Sequence, residues 1–212
     1  MYNPPAFRED RPEVLREIMR AARLALIVSA AADGGVPEAT HLPLFLVPEE
    51  GPHGTLYGHV AKANPQWKGL AAAGAARAIF QGPEAYVSPS HYASKQEHGR
   101  VVPTWNYVAV HAIGPVEVFE DADRLHAVVS RLTDRHEAPR ADPWAVTDAP
   151  EPFVAGQLKG IVGLALRIET LIGKRKLSQN RSEADQAGVL AGLSASEDTA
   201  DRAVAEAMRA GS

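Results

Sequence analysis

Residues 24–47, LALIVSAAADGGVPEATHLPLFLV, predict two β-strands joined by a short turn. The run Leu24–Val28 is apolar throughout and is typical of a buried strand. The DGG stretch at 33–35 suits a hairpin, because these residue types tolerate the backbone angles of tight turns. Ala39–Val47 is the predicted return strand, and Pro43 within it indicates an edge position or an opening in the hydrogen-bonded ladder.

Other extended segments follow along the chain, mostly without helices between them. Apolar patterning predicts further strands over 55–61, 76–81 (ended by Gly82-Pro83), 108–119 and 161–172. Helical spacing and capping signals predict helices from Pro12 to about Ala22 and over 65–73, 122–135 and 153–158, with a polar loop over 88–100. Because strands mostly follow strands, the sequence favours an antiparallel barrel, in an α+β and mainly β fold, over a doubly wound parallel sheet.

The composition is that of a mildly acidic globular chain without cysteine. Its 212 residues include 22 Lys and Arg against 26 Asp and Glu, which gives a net charge of −4. Proteins that bind nucleic acid through phosphate contacts are usually basic, so DNA is a partner that the net charge does not support. The absence of cysteine excludes disulfides, thiolate metal sites and a cysteine nucleophile. We recognise no secretory signal and no membrane span, and we therefore expect a cytoplasmic protein without a membrane partner.

Four segments are richer in polar and aromatic residues than a packed core requires. The first is Thr40–Leu44, THLPL, on the predicted return strand. Since proline has no N–H to donate, Pro43 can leave a carbonyl of the neighbouring strand unpaired and facing a ligand. A plain edge strand is the alternative interpretation.

The second segment is Gly58–Trp67, GHVAKANPQW, where a strand runs into a helix that Asn64 is predicted to cap. The free N–H groups and the positive end of the helix dipole, together with Lys62, would suit an anion or a phosphate group. The segment has neither the GxxxxGK[ST] pattern of a P-loop nor a GxGxxG fingerprint. The alternative is a capped surface helix with one solvated lysine.

The third and fourth segments bring aromatic and basic residues. Residues 82–92 and 102–107 carry four aromatic side chains with amide and hydroxyl neighbours, which could line a planar ligand, pack a barrel end or form a subunit interface. The fourth segment is Gly173–Arg181, GKRKLSQNR, and residues 167–181 contain five basic residues and one acidic residue. This local charge could bind the phosphate of a cofactor or of a nucleic acid, or it could be a solvated charged turn.

The eight histidines and the carboxylates form no recognised catalytic or metal-binding pattern. The sequence has no HExxH motif, no GxSxG elbow and no paired carboxylates in an apolar setting. We therefore expect no metal site, and hydrolase chemistry has little support.

Taken in order, these segments resemble the PaiB family of FMN-binding negative transcriptional regulators. The matching stretches are MYxPxxF at 1–7, THLP at 40–43, HVAKANPQW at 59–67, GPxxYVSP at 82–89, VPTWNY at 102–107 and GKxKLSQNR at 173–181. Six ordered matches are far more specific than any one of them.

The resemblance implies an antiparallel split β-barrel with peripheral helices, as in the pyridoxamine-phosphate oxidase-like flavoproteins. It implies an FMN-binding domain over residues 1–193, followed by a helical or partly disordered tail over 194–212. It also implies a two-fold homodimer with FMN as the cofactor, bound in two clefts at the interface.

The matching positions imply a set of FMN contacts. The strand from Thr40 to Leu44 would lie along the flavin ring, and Lys62 and Asn64 would meet the phosphate or the ribityl chain. Trp105 and Asn106 would close the cleft, either from the same subunit or from its partner. The complete expected set is Thr40, His41, Leu42, Pro43, His59, Lys62, Asn64, Trp67, Ser88, Trp105, Asn106, Lys176, Ser178 and Gln179.

Two positions depart from the family pattern. The family tends to have arginine where this chain has Lys62, which keeps the charge but lacks the bidentate geometry of a guanidinium. It tends to have tryptophan where this chain has His91, a titratable group near the expected cleft.

The family name implies a negative transcriptional regulator, although the sequence has no recognisable helix-turn-helix. The alternative is a flavin-dependent oxidoreductase that resembles NAD(P)H:flavin reductases, because bound FMN supports hydride and electron transfer. A third interpretation is a haem-handling protein with His41, His59 or His91 as axial ligand. No catalytic acid or base stands out, and the catalytic residues of an enzyme of this kind are unknown from the sequence.

Overall fold

The computed structural model describes residues 1–31 and 34–210, so Asp33 of the predicted turn lies outside the described residues. The chain divides into two compact units. Unit 1 comprises Met1–Ile18, Gln81–Val110 and the chain from Ile172 to residue 210. Unit 2 comprises Met19–Phe80 and His111–Leu171 in their described parts.

The described residues form nine strands and seven α-helices. The strands are β1 Arg8–Glu9, β2 Ala25–Ser29, β3 Glu38–Leu42, β4 Phe45–Val47, β5 Thr55–Ala61, β6 Ala75–Val87, β7 Thr104–Phe119, β8 Ile161–Arg167 and β9 Thr170–Lys176. The helices are α1 Pro12–Ala21, α2 Gln66–Ala73, α3 Ser94–Glu97, α4 Ala122–Glu137, α5 Glu151–Leu158, α6 Glu183–Ser194 and α7 Thr199–Arg209.

The strands pair in the order β3-β2-β6-β7-β8-β5-β4, and β9 pairs with β1 and β7. Their neighbours run antiparallel, as in the pairings of β2 with β3 and of β5 with β8. The path ends at β3 and at β4, so the sheet is not closed into a complete barrel. The α+β fold with an antiparallel sheet, predicted from the succession of strands, is confirmed.

The single return strand expected over 39–47 is wrong, because Pro43 divides it into two strands with different partners. Residues before the proline form β3, which pairs with β2, and residues after Leu44 form β4, which pairs with β5. Proline cannot donate to a ladder, so the chain changes partner where one amide is missing.

Two other predicted strand boundaries are also wrong. Gly82-Pro83 does not end β6, which continues to Val87 because the fixed φ of proline is compatible with extended backbone. The strand predicted over 161–172 ends at Arg167, since Ile168 N donates to Gly54 O and Glu169 N to Ile113 O, outside the β8 ladder. The chain then resumes as β9, which carries the first basic residues of the fourth segment.

Each unit has an apolar cluster of its own. In unit 2, the cluster joins β4, β7 and β8 to α4 through Phe45, Phe119, Leu125, Val128, Leu132 and neighbouring side chains. In unit 1, it joins β6 and β7 to α6 and α7 through Val87, Val108, Val189, Leu193, Val204 and neighbouring side chains. The predicted helical tail therefore contributes α7 to a buried core, while the division of the chain at residue 193 stays a prediction.

Candidate functional site

Hydrogen bonds fix the turn between β5 and α2 at both residues that were expected to bind phosphate, Lys62 and Asn64. Lys62 N donates to Gly160 O at 2.8 Å, and Asn64 N donates to Ala61 O at 2.9 Å. Asn64 Oδ1 accepts from Gln66 N at 3.0 Å, so Asn64 caps the helix as predicted, although α2 begins one residue later than expected. The turn at the N-terminus of α2, where the positive end of the helix dipole lies, is therefore held in place by these hydrogen bonds.

Asn64 also connects this turn to β3. Its Nδ2 donates to Thr40 Oγ1 at 2.9 Å, which leaves the hydroxyl proton of Thr40 free to donate elsewhere. The structure thus brings Thr40, Lys62, Asn64 and Trp67 together, and we call these four the turn group. The Nε1 of Trp67 donates to Lys62 O at 3.1 Å, which holds the indole against the turn.

Gln66 is a residue of this site that the sequence reasoning missed. It is 2% exposed, and the two hydrogens of its Nε2 are shared among three acceptors, Ile27 O, Ser29 Oγ and Glu38 O, at 3.0–3.2 Å. Its Oε1 is buried and has no partner. One side chain therefore joins α2 to β2 and β3, and no local sequence pattern indicates these contacts.

Glu120 is the second missed residue, and it forms an ion pair with Lys62. The two side chains are 46% and 49% exposed. An ion pair at this exposure contributes little to stability, so a phosphate group can replace Glu120 as the partner of the ammonium. No sequence signal was available, because the two residues are 58 positions apart.

The other expected contacts of unit 2 are not all at the turn group. His41 is exposed on β3, Pro43 lies half-buried between β3 and β4, and Leu42 is a core residue at 3% exposure. His59 lies on β5 and lines a separate cavity with side chains of α4 and α5. Burial lowers the pKa of His59, so its imidazole is neutral at physiological pH.

In unit 1, Asn106 and Ser178 form a buried polar pair. Asn106 is fully buried and donates from Nδ2 to Ser178 Oγ at 3.0 Å, while Ser178 Oγ lies 3.3 Å from Asn106 Oδ1. Ser178 has φ 69°, a left-handed conformation that non-glycine residues seldom adopt and that is common at functional sites. The pair fixes the chain immediately after β9.

The other unit 1 candidates are more accessible. Lys176 Nζ donates to Thr104 Oγ1 at 2.6 Å and to Trp105 O, and burial with the charges of Lys174 and Arg181 lowers its pKa. Trp105 is 54% exposed and stands edge-on to the ring of Tyr86, a residue outside the expected set. Ser88 Oγ accepts from Ser90 N, and Gln179 Oε1 accepts from Leu177 N.

The basic segment 174–176 is largely engaged inside unit 1. Lys174 is 5% exposed and donates to Tyr2 O at 3.0 Å. Arg175 is 8% exposed, donates to Ala207 O at 2.6 Å and lies 3.5 Å from Glu9 Oε2. Two of the five basic residues that the sequence suggested as a surface patch, Lys174 and Arg175, are therefore internal.

Residues 1–170 match a family model described as "Putative FMN-binding domain". The chain belongs to this FMN-binding family. It is 33% identical over 208 residues to the Bacillus subtilis "Protease synthase and sporulation protein PAI 2", a match that covers 98% of this chain and 96% of that protein. It is also 33% identical over 236 residues to an uncharacterized protein of Aspergillus fumigatus, covering 91% of this chain and 90% of the relative. The resemblance to the PaiB family and FMN as the cofactor are thus confirmed.

Solved structures of the same fold are more distant in sequence. An FAD and heme binding protein from Mycobacterium smegmatis matches with TM-score 0.59 and 20% identity, covering 80% of this chain and 73% of that one. A flavocytochrome from Azotobacter vinelandii matches with TM-score 0.55 and 17% identity, covering 85% and 75%. At this identity they show a shared fold and nothing further.

The side chains of the turn group, together with the neighbouring Gln66, fit FMN chemically. Lys62 offers a cation for a phosphate monoester, Thr40 offers a hydroxyl donor, and Gln66 holds a buried acceptor oxygen without a partner. Within residues 1–31 and 34–210, no three His, Asp or Glu side chains are grouped so that they could hold a metal ion. No helix in this part of the chain is long and apolar enough to cross a membrane.

Proposed function

We propose that this FMN-binding protein is a flavin-dependent oxidoreductase that accepts hydride from a reduced nicotinamide, and that it does not bind DNA directly. The observation that carries the choice is the engagement of the basic segment 174–176. When bound, FMN supplies the hydride and electron chemistry, while the protein orients it and tunes its environment.

The argument against direct DNA binding comes from the charges available. Phosphate contacts need cations that can leave water for the DNA backbone. Lys174 and Arg175 already donate to carbonyls of their own unit and are over nine-tenths buried. The net charge of the whole chain is −4, so the chain has no overall excess of positive charge to compensate for them.

We propose that the turn group binds the phosphate and ribityl portion of FMN. The dipole of α2, the Lys62 ammonium and the Thr40 hydroxyl supply donors from one rigid turn. The exposed face of the neighbouring strand around His41 and Pro43 then receives the ring, while the buried Leu42 and the half-buried His59 support the strands.

We propose that the unit 1 residues complete the cleft of a second copy. Trp105, Tyr86 and Val102 are 54%, 48% and 65% exposed, which is unusual for large apolar side chains without a partner. Trp105 would cover the flavin ring, and Ser88, Lys176 and Gln179 would add polar contacts. Asn106 and Ser178 are positioning residues that hold this surface.

The first experiment is an absorbance spectrum of the purified protein, followed by anaerobic addition of NADH and NADPH. Flavin bands that bleach with either nicotinamide support the oxidoreductase. Bound flavin that neither nicotinamide reduces, although dithionite does, contradicts the proposed reaction and leaves FMN binding intact.

A gel shift tests the competing function, a negative transcriptional regulator that contacts DNA itself. We expect no salt-sensitive shift of the promoter DNA upstream of this chain's own gene, with or without FMN. A shift that weakens with added salt and with the substitution Arg181→Ala, at a half-buried arginine of the basic segment, would overturn the proposal and favour the regulator.

Subunit complementation tests the shared cleft. The variants Lys62→Ala and Trp105→Ala are each expected to lose FMN. If a second copy supplies Trp105, mixed dimers contain one intact cleft, and refolding the two variants together restores flavin binding. If both residues act within one subunit, each cleft in the mixture stays defective and binding is not restored.

A further inference from the structure

An open cavity of about 280 Å³ lies between the sheet and the helices α4 and α5, entirely within unit 2. Its lining is mostly apolar and includes His59, Val129, Thr133, Trp144, Phe153 and Leu158. No member of the turn group lines it. The α4–α5 cavity is therefore separate from the residues proposed to bind the FMN phosphate.

His59 is the residue that β5 contributes to the lining of this cavity. Its Nδ1 is buried and has no hydrogen-bond partner. A buried polar atom without a partner costs stability, and in native proteins it calls for a specific explanation. Because burial keeps the imidazole neutral, one ring nitrogen is a donor and the other is an acceptor.

The helix that bounds the cavity is unusual. Five of the eight residues of α5, EPFVAGQL, are apolar or proline, yet none of the eight is buried. Phe153 on α5 is 58% exposed, and Trp144 in the preceding connection is 47% exposed. A second open space of about 600 Å³ adjoins the same helix and shares Val154 and Leu158. The aromatic rim and the open space around α5 are suited to admitting an apolar ligand.

We propose that the α4–α5 cavity binds a small aromatic molecule carrying one hydroxyl group, of the phenol class. An apolar cavity of roughly 150 Å³ already admits benzene, so the observed volume accommodates a substituted single ring. The ring would pack among Val129, Phe153 and Leu158. A hydroxyl both donates and accepts, so it satisfies the His59 imidazole whichever nitrogen carries the proton.

The test is calorimetric titration of the full chain with phenol and with toluene, which has the same shape without the hydroxyl. Wild type is expected to bind both, and phenol more tightly. His59→Leu is expected to weaken phenol about fivefold to tenfold and to leave toluene unchanged or tighter, because one hydrogen bond is removed from an apolar site. The matched control is His136→Leu, which removes an exposed histidine of α4 and is expected to change neither ligand.

Ala149→Phe provides a second variant, because Ala149 lines the cavity and a phenyl ring there would fill it. It is expected to abolish binding of both ligands while the far-ultraviolet circular dichroism stays that of wild type. The proposal is overturned if wild type binds neither ligand saturably. It is also overturned if the phenol-to-toluene preference is the same in wild type and His59→Leu, or if folded Ala149→Phe still binds phenol.

Discussion

Lys62 is the residue on which the proposed FMN site depends most strongly. A lysine meets phosphate as a point charge, whereas an arginine would offer two parallel N–H bonds. In this protein the ammonium already has a carboxylate partner in Glu120. Any anion that binds at the turn therefore competes with the Glu120 carboxylate for the Lys62 ammonium. Because this ion pair is exposed to water, it is weak, and the competition is weak as well.

Separate substitutions of Lys62 and of Glu120 are expected to change the affinity for FMN in opposite directions. Lys62→Met should weaken FMN at least tenfold, because a charged hydrogen bond contributes about 1.5–3 kcal/mol. Glu120→Gln should strengthen FMN by a factor of about two to five, because it removes a competitor whose ion pair contributes at most about 1 kcal/mol. Fluorescence titration of apoprotein with FMN measures both, and Lys159→Met is the control for an exposed lysine outside the turn. Equal affinity in Lys62→Met and wild type would remove the turn group from the site.

Ser178 stores backbone strain that its hydrogen bonds offset. Ser178→Ala keeps the left-handed backbone but leaves the fully buried amide of Asn106 without its oxygen partner. We expect a loss of about 1–3 kcal/mol in the free energy of unfolding, measured in urea. Asn180→Ala, in the exposed next turn of the same segment, should change it by less than about 0.5 kcal/mol. A neutral Ser178→Ala would mean that water or a rotated Asn106 replaces the bond.

Among the elements, α6 is a helix that the sequence analysis did not predict. Gly188 and Gly192 lower the helix propensity of the segment, yet both are needed because the turn at His91 lies directly on them. A Cβ at Gly188 would stand 2.1 Å from His91 O, and a Cβ at Gly192 would stand 2.6 Å from the His91 imidazole. Asp185 fixes the same contact by accepting from Ser94 N and Ser94 Oγ.

Replacing a helical glycine by alanine should therefore change the free energy of unfolding in opposite directions in α6 and in α5. Gly188→Ala should cost about 1–3 kcal/mol, because its methyl meets backbone that cannot move aside. Gly156→Ala in α5 should stabilise by about 0.5–1 kcal/mol, because nothing lies within 4 Å of the added methyl. Thermal unfolding of the two variants gives the comparison. Destabilisation by Gly156→Ala would indicate that α5 is packed more tightly than its exposure implies.

For the whole molecule, buried ionisable groups set the response to acid. Burial, together with the charge of Arg77, lowers the pKa of His111 to about 4. The unfolded chain protonates this histidine near pH 6.5, so the unfolded state binds more protons between about pH 6.5 and about 4. The contribution of neutral His111 is complete above pH 6.5 and is lost as the pH falls toward 4. His59 acts in the same direction.

His111→Phe is expected to reduce the loss of stability between about pH 7 and about pH 5, because the group that takes up the proton is removed. Urea unfolding at the two pH values measures the difference, and His136→Phe, an exposed histidine, should retain the wild-type dependence. The hydrogen bond from Arg11 lowers the pKa of Glu9 to about 2, so the Glu9 contribution persists to lower pH and is lost toward pH 2. An unchanged profile in His111→Phe would assign the acid loss to other groups.

Local sequence patterns predicted much of the fold and the family of this chain. The apolar runs of β2 and β5, the Asn64 cap and the left-handed Gly74 at the end of α2 follow from signals within a few residues of chain. The six ordered motifs by themselves carry the resemblance to the PaiB family of FMN-binding proteins. These features depend on neighbouring residues, whose spacing the sequence states directly.

The features that the sequence could not supply depend on partners far apart in the chain. Glu120 opposite Lys62, the triple contact of Gln66, the internal use of Lys174 and Arg175, and the cavity around His59 all join separate elements. A basic run has the same sequence whether its charges face water or donate to carbonyls, and a histidine on a strand has the same spacing whether or not it finds a partner. Only packing in three dimensions decides between those outcomes, because it sets which groups lose water and which atoms replace it.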